Sequence, residues 1–480
     1  MTEQHAISTL RPIIRMLSDE QIQAIHAASL DILAGTGIDM KHDGARALLL
    51  AAGASESGGR IKIPATLVEQ ALRTAPPCIP MHDRLGRLTM PLEEGRVFFG
   101  TGSDCPFTID AETGERRPSV SADVGRFARL CDGLDQIDFV MSMGIPSDVP
   151  PMDHYLHSFV EMIRGTVKPN VYTAKDRQDM ADIYEIACAV AGGERELRER
   201  PFMLLYAEPI SPLLFNQESV DNLLFCAERG IPVAYPPSPN TGGGGPITVA
   251  GALALGNAEC LAGLALAQIV RPGTPFLYGM NIAALDMQST IIAYGAPDWP
   301  QAMAAFSDIA RFYHLPVWGG AGASDSKVVD AQAGFEATST IMSAYLCRCN
   351  LVHDVGYIEY GSTSSMELLV ISDEIIRHTR FIVDGVEVSE RTLALDAIRR
   401  ARPGGGFFAD DHTLENWKAA QWRPRVVDRQ RQANWARRGS KDMARRANEW
   451  AHRILGEHEV PPLSQAAEET IAEVLRRRAV

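Results

Sequence analysis

The chain has 480 residues, of which 46% are hydrophobic and 22% are charged, a composition that excludes a wholly disordered protein. Its formal net charge of −14 argues against nucleic acid as a partner, so we expect none. The N-terminus lacks the basic and apolar regions of a signal peptide, and eight cysteines are too sparse for a disulfide scaffold. We therefore predict a cytoplasmic protein with reduced thiols.

The first 120 residues predict a mixed segment of helices and short strands. Ser18 begins an amphipathic helix that ends near Gly35, and a second short helix follows Pro64. The pattern then changes to short strands at 85–88 and 97–99. We assign residues 1–120 to an N-terminal segment that packs on the following domain.

Seven apolar runs alternate with helical stretches after residue 120, at a spacing typical of a parallel sheet. The runs are 139–143, 170–173, 202–206, 231–234, 275–278, 315–318 and 351–355. This α/β pattern predicts a (β/α)8 TIM barrel over residues 121–400, with an open parallel sheet as the alternative.

The most apolar stretch, residues 249–270, is interrupted by Asn257, Glu259 and Gln268. We predict a buried helix there and no membrane association.

Residues 401–480 predict a C-terminal helical extension that is partly basic. Lys and Arg far outnumber Asp and Glu between residues 418 and 453, and four of the six tryptophans lie in or beside this segment. Two interpretations remain open: a solvated extension whose aromatic side chains pack on the barrel, or a surface that docks an acidic partner protein.

The active site of a parallel barrel forms at the carboxyl ends of its strands, so the residues after each run are the candidates. They include Glu208 and Ser211, the segment 236–246, the segment 278–281, the segment 318–327, and the group His353, Asp354, Tyr357 and Glu359. The glycines at 242–245 lack the lysine and hydroxyl of a phosphate-binding loop. Cys347 and Cys349 would point apart on a helix, so we predict no metal site.

Several motifs together resemble the trimethylamine:corrinoid methyltransferase superfamily, and the likeness spans most of the chain. The motifs are Gly319–Glu336, Pro246–Gly251 with Asn257–Glu259, Ala265–Gln268 with Pro272–Gly273, Tyr278 with Asp286–Met287, and Gly404–Phe408 with His412–Leu414, Trp422 and Pro424. The resemblance implies a TIM barrel that moves a methyl group from a methylated amine to the Co(I) of a corrinoid carried by a separate small protein.

The methanogen trimethylamine enzymes of that superfamily carry pyrrolysine, near the loop 319–325 in this numbering. This chain has small standard residues there and is similar to the branch that acts on glycine betaine and other quaternary amines. We therefore expect a small quaternary or tertiary amine as substrate. The alternatives are a demethylase that uses tetrahydrofolate or free cobalamin as acceptor, and a non-catalytic betaine-binding protein.

Loss of a methyl group from a quaternary ammonium releases a neutral amine, so no general acid or base is required and we assign none. Aromatic faces suit such a cation. The predicted substrate-binding residues are His353 for a substrate carboxylate, Asp104 for the ammonium, and the aromatic side chains Trp318, Tyr278, Tyr357, Tyr360 and Phe107.

We expect two further sets of residues at the barrel end. The loops facing the corrinoid would contain Gly243, Gly244, Gly320, Gly322, Ser324 and Asp325. The polar residues of the barrel end would be Asn257, Glu259, Lys327, Asp330, Gln332 and Glu336. The expected partners are the amine and a corrinoid-binding protein, and large barrels of this kind also predict a homo-oligomer.

Overall fold

The computed structural model describes residues 12–478, which contain both helices and strands. The strands are β1 (Asp39–Met40), β2 (Ser55–Ser57), β3 (Arg60–Lys62), β4 (Ile79–His82), β5 (Leu88–Leu92), β6 (Phe98–Phe99), β7 (Phe107–Ile109), β8 (Arg116–Pro118), β9 (Asn170–Tyr172), β10 (Met203–Tyr206), β11 (Leu214–Phe215), β12 (Val233–Ala234), β13 (Phe276–Gly279), β14 (Ala284–Leu285), β15 (Ile292–Ala293), β16 (Val317–Gly320), β17 (Leu351–His353), β18 (Tyr357–Ile358) and β19 (Thr363–Ser364).

The α-helices are α1 (Asp19–Asp31), α2 (Asp43–Ala51), α3 (Ala65–Thr74), α4 (Ser121–Asp132), α5 (His154–Gly165), α6 (Arg177–Ala191), α7 (Glu194–Glu199), α8 (Gln217–Arg229), α9 (Val249–Val270), α10 (Asp298–Phe312), α11 (Ala331–Leu346), α12 (Met366–Val383), α13 (Glu390–Leu393), α14 (Leu395–Ala401), α15 (Asp411–Ala420), α16 (Gln432–Arg437), α17 (Met443–Glu457) and α18 (Gln465–Arg478). A π-helical turn, Ile32–Thr36, extends α1, and a 3-10 turn spans Glu359–Gly361.

Parallel strands form the predicted barrel. Seven of them pair in the order β6-β17-β16-β13-β12-β10-β9. The segment Phe139–Val140 closes the ring, because Phe139 bridges Gly100 beside β6 and Val140 bridges Asn170 of β9, both in parallel. Each predicted apolar run contributes one of these strands, and the (β/α)8 TIM barrel is confirmed.

The barrel begins earlier than the sequence analysis placed it. Phe98–Phe99, which we assigned to the N-terminal segment, pairs with Leu351 and Val352 and is the first barrel strand. The parallel sheet therefore starts before residue 121. Only two residues of β6 pair in register, so no long apolar run marks it in the sequence.

An antiparallel hairpin closes the amino-terminal end of the barrel. Ile79 and Met81 of β4 and Met90 and Leu92 of β5 share one apolar cluster with inward-facing barrel residues such as Leu204. The run 85–88, predicted as a strand, forms the turn of this hairpin up to Arg87. Asp83 fixes that turn by accepting hydrogen bonds from the Leu85 and Arg87 amides.

The long apolar helix α9 lies in the core. By length and composition it passes as a membrane span, but most of it is buried inside the protein. It contacts α1, α2 and α3 on one side and α8 and β13 on the other. The predicted buried helix is confirmed.

The C-terminal extension runs along the outside of the barrel. Helix α17 packs on α4 and α12, and α18 packs on α6. Arg478 of α18 forms ion pairs with Asp179 and Asp182 of α6, at 2.6 Å in each case. These contacts hold the end of the described chain against the barrel helices.

Candidate active site

The alternation of side chains along β10 leads to the carboxyl end of the barrel. Leu204 belongs to the apolar cluster inside the barrel, and Tyr206 packs against that cluster. Since side chains on one face of a strand repeat every second residue, Glu208 continues the inward-facing row just beyond the strand. This row places an aromatic ring and a carboxylate at the barrel mouth.

Three rings lie together at this mouth. The ring centroids of Trp318 and His353 are 4.2 Å apart. The ring centroid of Tyr206 lies 5.5 Å from that of Trp318 and 5.9 Å from that of His353. Three separate strands, β10, β16 and β17, supply them. The structure thus brings together His353 and Trp318, both predicted, with Tyr206, which we had not singled out.

His353 has unused hydrogen-bonding capacity. The residue is 6% exposed, and neither ring nitrogen has a hydrogen-bond partner. Asp354 Oδ1 lies 2.7 Å from His353 Nδ1, which is within ion-pair distance, but the two groups are not aligned for a hydrogen bond. Gly102 and Gly320 leave room for the Asp354 carboxylate, because a Cβ at either position would crowd it. His353 is therefore available to bind a polar group of a ligand.

Glu208 is an exposed carboxylate that two hydroxyl groups hold in place. Tyr206 Oη donates to Oε2 at 3.1 Å, and Ser238 Oγ donates to the same oxygen at 2.9 Å. The crowding of surrounding protein raises the pKa of Glu208 above its ordinary value, and Asp104 raises it further while His353 opposes the shift. Glu208 is thus exposed at the barrel mouth, and no Lys or Arg among residues 12–478 forms an ion pair with it.

Asp104 adds a second carboxylate nearby. Its backbone has a φ of 69°, and Ser103 Oγ donates to Oδ2 at 2.8 Å. Burial is the largest cause of the raised pKa of Asp104, and Asp354 contributes to the same shift. Asp104 is thus coupled electrostatically to Glu208 and Asp354.

The other predicted aromatic residues have contacts of their own. Tyr278 faces the outer apolar layer, where its hydroxyl donates to Asn257 Oδ1 at 2.8 Å. The face of Phe107 is covered by Arg116, whose guanidinium carbon is 3.5 Å from the ring centroid. Tyr357 is buried and donates to the carbonyl of Ser103. Tyr360 is half-buried in the 3-10 turn, with a φ of 50°.

A second aromatic pair, absent from our predictions, flanks the mouth. Tyr294 and Trp299 have ring centroids 4.8 Å apart. Asn281, which follows β13, joins them: it accepts from Trp299 Nε1 at 3.0 Å and donates to Tyr294 Oη at 3.1 Å. The pKa of Tyr294 is raised mainly by burial, with Asp354 and Glu208 contributing, which couples this pair to the same site.

The polar residues of the motif 319–336 tie loops to one another. Glu336 accepts from Ser324 Oγ at 2.6 Å and from the Asp325 amide at 2.9 Å. Asp325 in turn accepts from the amides of Tyr294 and Gly295. Asp330 caps α11, Gln332 donates to Glu336, and Lys327 donates to the Asp325 carbonyl. These residues hold the loops after β13 and β16 in place.

Asn257 and Glu259 of α9 also serve as anchors. Asn257 is buried and bonds to Ser29, Tyr278 and Tyr313. Glu259 accepts from Ser211 Oγ at 2.8 Å and from the Leu213 amide at 2.5 Å, so it holds the loop that carries Glu208. Burial raises the pKa of Glu259 to about 7.

The predicted glycine loops differ in how tightly they pack. Gly243 and Gly244 form part of a turn in which the Gly243 and Gly245 amides donate to the Asn240 carbonyl. Gly243 is exposed, whereas Gly320 and Gly322 are buried. Gly322 adopts a φ of 82° against Val355.

Cys347 and Cys349, which were considered on a helix in the sequence analysis, lie just after α11 ends at Leu346. Cys347 and Cys349 are buried free thiols, and Cys347 Sγ lies 3.5 Å from Ser307 Oγ. Residues 12–478 contain no group of three or more His, Cys, Asp or Glu side chains arranged to hold a metal ion.

Comparison with known proteins gives consistent matches. A profile of the trimethylamine methyltransferase (MTTB) family matches residues 1–480. Trimethylamine methyltransferase MttB of Desulfitobacterium hafniense strain DCB-2 is 32% identical over 95% of this chain and 92% of its own length. Glycine betaine methyltransferase of strain Y51 is 31% identical over 94% of both chains.

Among solved structures, a hydroxylamine complex of MtmB superposes with a TM-score of 0.50 at 11% identity, covering 93% of this chain and 89% of that chain. At this identity the match supports the fold alone.

Proposed function

The chain belongs to the trimethylamine methyltransferase family and is a methyltransferase, and from this we propose that it acts in the cytoplasm on a small quaternary or tertiary methylated amine. The methyl group would pass to the Co(I) of a corrinoid carried by a separate protein. The observation that carries the proposal is the group of three rings, Tyr206, Trp318 and His353, beside the Glu208 carboxylate at the barrel mouth.

Aromatic faces attract a quaternary ammonium by about 0.5–2 kcal/mol each, more when water is excluded. Such a cation has no proton to give or take, so the site has to align the N–CH3 bond rather than transfer a proton. The buried Trp318 ring and the anchored Tyr206 ring suit that positioning task. His353, whose ring nitrogens have no hydrogen-bond partner, would orient the substrate by binding an oxygen at its other end.

A corrinoid held by a partner protein would approach the rim of the mouth. When bound, it supplies a nucleophilic Co(I) as methyl acceptor. Four exposed apolar side chains lie in the segments that follow β12, β13 and β16, at the carboxyl end of the barrel. They are Ile247, Met287, Val328 and Phe335. Exposed apolar residues around a polar site are typical of a protein-docking surface. We propose that these side chains contact the corrinoid protein.

The test is anaerobic loss of cob(I)alamin absorbance when the enzyme, with its corrinoid protein, meets a panel of methylated amines. The panel contains glycine betaine, choline, carnitine, dimethylglycine and trimethylamine. Methylcobalamin formation with one compound is the expected result. Silence across the panel with the cognate corrinoid protein present would favour a binding protein instead.

A second experiment tests the role of His353. We expect His353→Ala to raise KM for the active substrate at least tenfold, since the ring supplies both an aromatic face and a hydrogen bond. Unchanged kinetics would remove His353 from the substrate site.

A further inference from the structure

We propose that Glu208 makes this site selective for methylated ammonium compounds that carry a net positive charge, such as choline, over zwitterions that also carry a carboxylate. The inference rests on the proposed function and specifies its substrate class. The observation behind it is an exposed, hydroxyl-anchored carboxylate next to three aromatic rings.

The placement of Glu208 suits a residue that meets the ligand. Its Oε2 accepts hydrogen bonds from Tyr206 and Ser238, so the carboxylate is held in one position beside the Tyr206 ring. The residue nevertheless remains exposed to solvent. A carboxylate fixed beside aromatic faces gives an ammonium a counter-charge at the same place where the rings bind it.

The negative charge around the mouth disfavours a substrate that carries a carboxylate. Glu208, Asp104 and Asp354 are coupled electrostatically. In the described part of the chain, no Lys or Arg side chain forms an ion pair with any of them, and His353 pairs with Asp354 at 2.7 Å. Any positive charge on His353 is therefore already balanced by Asp354, and the other cation coupled to these carboxylates, His154, acts on Asp104.

The titration of Glu208 agrees with this geometry. Desolvation is the largest cause of the raised pKa of Glu208, and Asp104 adds to the shift, while the hydrogen bonds from Ser238 and Tyr206 and the nearby His353 oppose it. A bound ammonium would supply a cation and favour the ionised form. Uncharged substrate groups, such as a hydroxyl, could still bond to His353.

Binding of tetramethylammonium, measured by calorimetry, tests the charge role directly, because this probe has no group other than the cation. We expect Glu208→Gln to weaken its binding at least tenfold and Glu208→Asp to restore part of the loss. Glu94→Gln is the matched control: it makes the same charge change at an exposed residue before β6, at the opposite end of the barrel. Equal binding by wild type and Glu208→Gln, or an equal loss in the control, would overturn the proposal.

Methyl transfer from choline and from glycine betaine separates this inference from the proposed function. We expect the wild type to favour choline at least tenfold in kcat/KM, and Glu208→Gln to narrow that ratio. Preference for glycine betaine would overturn the inference and leave methyl transfer standing. Glu208-dependent binding of tetramethylammonium without methyl transfer from any donor would instead support the charge role and contradict the proposed function.

Discussion

Tyr206 contributes both a ring and a hydroxyl to the mouth, and two substitutions separate these contributions. Tyr206→Phe keeps the ring 5.5 Å from Trp318 but removes the hydrogen bond to Glu208. Tyr206→Leu removes both. We expect the leucine variant to bind tetramethylammonium about fivefold more weakly than the phenylalanine variant, which corresponds to about 1 kcal/mol of cation–π attraction. Equal affinities in a calorimetric titration would show that the ring makes no contact with the cation.

Glu259 should give the protein a measurable pH dependence of stability. Its pKa is raised from 4.5 to about 7, with burial the main cause and Glu208 adding to the shift. The folded chain therefore holds this proton more tightly than the unfolded chain. As the pH rises from 4.5 to 7, the free energy of unfolding of the wild type should fall by about 3 kcal/mol relative to that of Glu259→Gln. Above about pH 7 this difference between the two proteins should level off.

Urea unfolding of both proteins at several pH values in that range measures the effect. Parallel pH profiles for wild type and Glu259→Gln would contradict the assigned cause. The comparison cancels other carboxyl groups, such as Asp373, because both proteins contain them.

At the scale of elements, the loop after β12 illustrates how a tight backbone turn positions a site side chain. A Cβ at Gly245 would collide with the Pro239 carbonyl, whereas at Gly243 the nearest atom is 3.7 Å away. We expect Gly245→Ala to displace the adjacent Ser238 and raise KM severalfold, with Gly243→Ala close to wild type. Steady-state kinetics with the active amine measure both. Equal effects in the two variants would mean that the turn does not transmit strain to Ser238.

The loops around the mouth also differ in how clearly the sequence indicates that they contribute to the site. The loop after β16 carries a dense polar motif, and the structure uses most of it to join loops through Glu336 and Asp325. The loop after β10 has no such density, yet it supplies Glu208. Glu208 was named from the sequence only as one of several residues that follow the strands, and the period of two from Leu204 through Tyr206 to Glu208 is the signal for its inward direction.

For the whole molecule, two exposed phenylalanines distinguish the possible partner surfaces. Phe335 is 72% exposed on the mouth side of the barrel, and Phe408 is 94% exposed on the C-terminal extension. We expect Phe335→Ser to lower the rate with the corrinoid protein at least fivefold, because it removes apolar contact area, while tetramethylammonium binding is unchanged. Phe408→Ser serves as the matched control.

The opposite result, in which Phe408→Ser slows the reaction and Phe335→Ser does not, would place the docking surface on the extension. Several cations there already have internal partners: Arg425 pairs with Asp135 and Asp373, and Lys441 pairs with Glu449. These pairs reduce the positive charge that the extension offers to an acidic partner.

The sequence by itself determined the barrel, its buried helix α9 and the family, because apolar periodicity and motif spacing are local properties of the chain. It did not determine which side of a strand each aromatic residue faces. Tyr278 and Tyr206 both lie at strand ends, yet only Tyr206 faces the barrel interior, and a shift of one residue in the strand reverses that direction. The sequence predicted the short strand at 97–99, but only its pairing with β17 shows that it is the first strand of the barrel.

Tertiary structure alone decided which charges meet. Glu208, Asp104 and Asp354 lie far apart in the sequence and follow different strands, and the closed ring of strands brings them to one mouth with His353. The balance of charge at a site depends on distances across the barrel, which no local pattern encodes. For that reason the sequence predicted a methylated amine as substrate, while the preference for a net cation follows from the folded arrangement.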